Sequence, residues 1–204
     1  MAPAKRSANA GKRYPAEVLT PDEVRALIKA CSNRASTGVR NRALLVVLYR
    51  AGLRISEALQ LAPKDVDRAA GTVTVLRGKG GKRRTIGLDP GAFALLECWL
   101  EHRAKLGVNG HKPIFCTLNG NRMATAYVRA MMPRLARKAG IEKRVHAHGL
   151  RHTHAAELAM EGKPVNLIQA QLGHANLAVT STYLSHIAPA QLIEAMRNRS
   201  AFSI

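Results

Sequence analysis

Four histidines and an arginine crowd nine consecutive positions, His146-Ala-His148-Gly-Leu-Arg151-His152-Thr-His154, in a chain of 204 residues. Imidazoles bind metals, sense pH or move protons, and a guanidinium forks onto phosphate or carboxylate oxygens. The stretch therefore reads as a metal cage, a pH sensor or part of a phosphate-handling site. A cage fits poorly. On a helix His148 and His152 share one face and the other two fall elsewhere. Neither an HExxH pattern nor a cysteine partner supplies the ligand set zinc wants, so no metal is expected. His146 and His154 read as packed or surface side chains, with the same alternative open for His152. His148 and Arg151 lie one turn apart and can face a single phosphate.

Phosphodiester chemistry without a metal needs permanently charged, forked cations for the nonbridging oxygens, a proton for the leaving alkoxide, and a nucleophile. Arg54 in AGLRISEALQL stands between a glycine stop and a helix start, with Glu57 three positions on to hold it through a carboxylate pair. A plain surface salt bridge would use the same two residues. Lys79 and Lys82 lie in RGKGGKRR, a glycine-rich turn that is either a cationic loop along a DNA groove or a solvated hairpin tip. Arg83 and Arg84 follow, and Lys82, Arg83 and Arg84 are the candidate DNA-backbone contacts. GKGGK lacks the spacing and the following Ser/Thr of a nucleotide-binding loop. His174 and Tyr183 lie nine residues apart in LGHANLAVTSTYLSH, where a tyrosine can equally be amphipathic packing.

These residues need a scaffold. Leu19-Thr20-Pro21-Asp22-Glu23-Val24 predicts a helix start with a capping box and a hydrophobic staple, running to about Ala30. Arg40 to Ala51 is almost uniformly apolar before Gly52, as in a central buried helix, and Leu53 to Leu61 reads as a further short helix ended by Pro63. Residues 65–88 change to short β-type runs, predicting about three antiparallel strands with the glycine-rich turn at the tip. Asp89-Pro90 opens the next helix. Thr125 opens one through Ala139, with Pro133 as a kink, and helical pieces follow from residue 147. The fold class is mainly α with a small antiparallel β-sheet insert.

Composition points to the partner. The 32 Lys and Arg against 13 Asp and Glu give a net charge of +19, a field that attracts polyanions. Aromatic residues, 4% of the chain, are too few for a platform stacking unpaired bases, so double-stranded DNA is favoured over single strands. The longest aliphatic run, 43–49, is far shorter than a membrane span, and the N-terminus lacks the apolar core of a signal peptide, so a soluble cytoplasmic protein is expected. Cys31, Cys98 and Cys116 form no CxxC pair and read as packing residues.

GLRISEALQL, RGKGGKRRTIGL, HGLRHTHAAEL and LGHANLAVTSTYLSH, in this order and spacing, together resemble the catalytic domain of the tyrosine recombinases, the phage integrase family, over about Leu19 to Ile187. By that resemblance Arg54, Lys79, His148, Arg151, His174 and Tyr183 match the six catalytic positions. The resemblance implies metal-free, cofactor-free transesterification in DNA through a 3′-phosphotyrosyl intermediate. Arg54, Arg151 and His174 would bind the phosphate, Lys79 would protonate the leaving 5′-oxygen, His148 would manage the tyrosine proton, and Glu57 would orient the site.

The organisation expected is a flexible basic arm at 1–18 and a catalytic domain at 19–204. Its C-terminal helix at about 189–198 would either dock on a neighbouring protomer, coupling a homotetramer on DNA, or pack on its own domain. The separate N-terminal DNA-binding domain usual in the family is not expected, so an accessory partner could complete the clamp. A type IB topoisomerase-like enzyme would use nearly the same residues. A noncatalytic DNA-binding accessory protein keeping the fold is the rival from another class.

Overall fold

The structure, a computed structural model, describes residues 17–76, 83–108, 110–173 and 197. Among them the order is α1 (Pro21–Lys29), α2 (Ser36–Arg50), α3 (Ile55–Ala58), a 3-10 turn (Pro63–Asp65), β1 (Val66–Asp67), β2 (Thr72–Val75), β3 (Arg84–Gly87), α4 (Pro90–Lys105), α5 (Thr125–Lys138), α6 (Ala147–Met160) and α7 (Val165–Leu172). None of the described helices is long and apolar enough to cross a membrane.

Helix α1 begins where its local chemistry places it. Glu23 N–H donates to Thr20 Oγ1 at 3.2 Å and Thr20 N–H to Glu23 Oε2 at 2.7 Å, satisfying two donors that a helix start leaves open. Leu19 and Val24 are both buried, as the staple requires. Leu19 N–H also donates to Thr153 Oγ1 at 3.1 Å, and that hydroxyl donates to Gly149 O, so the first residue of the folded part is tied to α6. Glu17 and Val18, expected in the flexible arm, are tied down too. Arg144 N–H donates to the Glu17 carboxylate and Lys143 Nζ to Val18 O. Residues 1–16 lie outside the described residues.

Helix α2 is the central element. Apart from half-buried Arg42 it is buried from Gly38 to Tyr49, and it packs against both α4 and α6. It starts four residues before the apolar run, because Gly38 lets the chain turn tightly against Ser32: a Cβ there would stand 2.3 Å from Ser32 O. Around it lies one core, with Leu44, Leu48, Leu53, Trp99, Phe115 and Leu150 fully excluded from water.

The sheet has the expected three antiparallel strands in the order β1-β2-β3, with Val73 opposite both Val66 and Ile86. Val73, Val75 and Ile86 face the core, while Thr74 and Thr85 pair hydroxyls on the other face at 3.2 Å. The turn at 77–82 is outside the described residues. Helix α3 is shorter than Leu53 to Leu61: beyond Leu59 the chain tightens, Gln60 and Leu61 N–H donating three residues back to Glu57 O and Ala58 O, while Leu61 O accepts Ile114 N–H at 2.7 Å. Helix α4 is capped by Asp89, whose Oδ1 accepts Ala92 N–H at 3.0 Å. Helix α5 runs from Thr125 to Lys138 with Pro133 inside it. Cys31 and Cys116 are buried, but Cys98 is exposed on α4 and is not a packing residue.

Candidate active site

The chain leaves α2 through Gly52 at φ +58°, a left-handed turn suited to glycine, and reaches Arg54 in extended conformation as the N-cap of α3. Three residues on, Glu57 is 4% exposed and gathers four donors from two arginines. Arg54 N–H reaches Oε2 at 2.9 Å, Arg54 Nη1 reaches Oε1 at 2.8 Å, and Arg84 from β3 forks onto both oxygens at 3.0 and 2.8 Å. Burial works to raise the Glu57 carboxyl. The Arg84 hydrogen bonds, the Arg54 backbone N–H and the Arg84 charge override it and hold the pKa below the ordinary carboxylate value.

Helix α7 ends at Gly173, in the left-handed conformation, and its last carbonyls point at cations. Gln171 O accepts Arg84 Nε at 3.3 Å, Leu172 O accepts Arg151 Nη2 at 2.6 Å, and Gly173 O meets Arg54 Nη2 at 3.5 Å. Three consecutive carbonyls therefore face three arginines from β3, α6 and the start of α3, with the negative end of the helix dipole behind them. Arg151 also donates to Gly52 O and is 2% exposed. Arg54, with a quarter of its side chain accessible, is the more open of the two candidate phosphate arginines.

The histidines separate by role. His146 is the N-cap of α6, its Nδ1 accepting Gly149 N–H at 3.1 Å, which requires that nitrogen to carry no proton. His148 lies at the site face with its ring edge-on to His152, centroids 4.3 Å apart. Desolvation, then the charges of Arg151, His146 and Arg54, lower its pKa and so favour the neutral ring. No group of three His, Cys, Asp or Glu side chains among the described residues could hold a metal ion.

His154 is buried at 4% exposure, and neither ring nitrogen has a hydrogen-bond partner. Its Cδ2 stands 2.7 Å from where a Gly52 Cβ would be, so it underlies the turn that receives Arg151. Burial, reinforced by the Arg50 and Arg151 charges, pushes its pKa down to about 4. An unfolded chain takes up this proton near 6.5 while the folded ring stays neutral, so stability falls as pH drops from 6.5 towards 4. His154→Phe is expected to reduce the loss of unfolding free energy between pH 6.5 and 5 by about 2 kcal/mol, read from urea midpoints at each pH. Equal pH slopes for the two proteins would remove His154 as the cause.

Arg54, Glu57, His148 and Arg151 are thus brought together. Arg83 is exposed at the start of β3, whereas Arg84, expected beside it as a DNA contact, turns inward to Glu57 and is 12% accessible. Lys79, Lys82, His174 and Tyr183 lie outside the described residues, as does the helix expected at 189–198 apart from Arg197. A cleft of about 630 Å3 between α5 and the 141–146 loop opens beside Ile55 and Ala147, with Arg129 and Arg137 lining it. Neither arginine was singled out in the sequence. Their shared helical face, eight residues apart within a basic helix, was the signal available.

Residues 17–188 match the phage integrase family, and the chain belongs to it. The tyrosine recombinase XerC of Thermodesulfovibrio yellowstonii is 34% identical over 188 residues, 90% of this chain and 62% of that protein. XerC of Staphylococcus aureus is 30% identical over 89% of the chain. The chain spans about three-fifths of the length of these curated relatives. The fold resembles the crystal structure of XerA recombinase, with TM-score 0.79, 31% identity, and 94% of this chain and 68% of that one covered. It also resembles the site-specific recombinase XerH bound to palindromic difH substrate in a post-cleavage complex, with TM-score 0.75, 31% identity, and 94% and 55% covered.

Proposed function

We propose that the chain is the catalytic part of a site-specific recombinase that breaks and rejoins double-stranded DNA through a phosphotyrosine. The observation that carries this is the convergence of Arg54 and Arg151 on the end of α7 with His148 within reach of both charges, in a chain similar to a recombinase captured on its substrate after cleavage. Arg54 and Arg151 bind the nonbridging oxygens and stabilise the charge that builds there. His174 adds a further donor. Tyr183 Oη attacks phosphorus in line, its proton passing towards His148, and the 5′-oxygen leaves with a proton from Lys79. The phosphodiester bond exchanges for a 3′-phosphotyrosyl bond. Attack by a 5′-hydroxyl of another strand then reverses the step, so no cofactor has to supply energy. Lys82 and Arg83, with Arg129 and Arg137 lining the cleft, follow the DNA backbone. A homotetramer on DNA, coupled through residues 189–198, completes the reading, with room for an accessory DNA-binding partner.

A nicked duplex that loses its 5′ fragment on cleavage traps the intermediate. A covalent protein–DNA adduct is expected, equal with and without EDTA, and mapping to the peptide that contains Tyr183. An adduct that EDTA abolishes, or one on another peptide, would defeat the proposal. Binding by this chain alone is expected to be weak and nearly sequence-independent. It should fall about 1000-fold between ~50 and ~200 mM salt, as for about six phosphate contacts. Tight site-selective binding that ignores salt in a fluorescence-anisotropy titration would contradict this.

A further inference from the structure

Two guanidiniums share the Glu57 carboxylate, and they do not share it equally. Arg84 holds the two-pronged arrangement, Nη1 on Oε1 and Nη2 on Oε2. Arg54 offers a single guanidinium nitrogen, Nη1, together with its backbone N–H. Arg54 Nη2 makes only the 3.5 Å approach to Gly173 O, and no described acceptor meets its Nε. Arg84 is itself fixed on two further sides. Gln171 O takes its Nε, and a Cβ on Gly173 would stand 2.9 Å from its guanidinium carbon. So confined, Arg84 cannot hold Glu57 and also extend to a DNA backbone.

The forked pair is the stronger arrangement of arginine and carboxylate, and the three-residue spacing would let Arg54 form it if the position were vacant. Arg54 would then spend both terminal nitrogens on Glu57 and form a neutral pair. With Arg84 present, one negative and two positive charges leave the group cationic beside the site. We infer that Arg84 is a positioning residue: by occupying the forked face of Glu57 it keeps Arg54 singly bonded, with Nε and Nη2 left for the scissile phosphate. Arg84 acts through Arg54 and not on DNA. The inference rests on the recombinase reading above, since it gives Arg54 its phosphate.

The test uses single-turnover cleavage of the nicked duplex, with DNA affinity measured in parallel. Arg84→Ala is expected to slow cleavage about 10- to 100-fold, the usual range for loss of a supporting contact, while DNA affinity changes less than about threefold. The deciding variant adds Glu57→Gln to Arg84→Ala. An uncharged amide no longer captures Arg54, so the double variant is expected to cleave at least about fivefold faster than Arg84→Ala alone. A purely structural role predicts the opposite, because the second change removes a further buried ion pair. Should Arg84→Ala melt far below the parent, Arg84→Lys replaces it in both backgrounds: it keeps the charge but cannot fork, and the same ordering of rates is expected. A double variant no faster than the single one, or an Arg84→Ala rate within threefold of the parent, overturns the inference. Failure of the parent protein to form any adduct would overturn the recombinase reading instead, an outcome visible before any variant is compared.

Discussion

Tyr183→Phe is expected to abolish the covalent adduct while leaving DNA affinity within about twofold. The substitution deletes one oxygen and keeps the ring, so packing and charge hardly change. In the proposed reaction that oxygen is the atom that bonds to phosphorus, and the cation set cannot substitute for it. A water molecule held in its place would give hydrolysis, a free 3′-phosphate without protein attached. The two results separate on a denaturing gel. A persistent adduct of parental yield would mean that the nucleophile is elsewhere, and mapping the adduct would find it.

Arg151→Ala carries the second large effect. Removing one preorganised donor to a developing oxyanion costs about 100- to 1000-fold in rate. Here the loss is expected at the upper end of that range, because Arg151 does structural work besides. Its guanidinium donates to Gly52 O and Leu172 O in a setting 2% exposed, and truncation leaves both carbonyls facing a void. Each unsatisfied buried acceptor costs about 1–3 kcal/mol, so a lowered melting temperature should accompany the lost rate. Lysine should not rescue it, since one ammonium cannot span both carbonyls. Single-turnover cleavage beside a thermal melt checks both. An Arg151→Lys protein cleaving within tenfold of the parent would show that charge alone suffices there.

The sequence made some of this legible and left some dark, and the division is physical. Capping is local, so Thr20, Glu23 and Asp89 could be read directly and stand where expected. Strand alternation at Val73 and Val75 likewise depends on neighbours a few residues away. The apolar run marks helix α2, but its true start depends on Ser32 packing against Gly38, a contact that periodicity does not encode. For the site, residue types and spacing selected Arg54, Glu57, His148 and Arg151, which the fold gathers. The inward turn of Arg84 was invisible, because its partners come from α3 and α7, 27 and 87 residues away. His154 reads in sequence as one histidine among four. Its burial without a partner is a property of the turn above it.

The acceptors at the end of α7 are main-chain oxygens, and this shapes how the protein can vary. No exchange of the Gln171 or Leu172 side chain deletes a carbonyl; the half-buried Gln171 side chain can change, whereas Leu172, fully buried beside Gly52, holds the helix in its seat. What the three arginines require of this place is where the chain runs. Gly173 is inflexible in another way, because any side chain there would meet both a left-handed backbone and the Arg84 guanidinium.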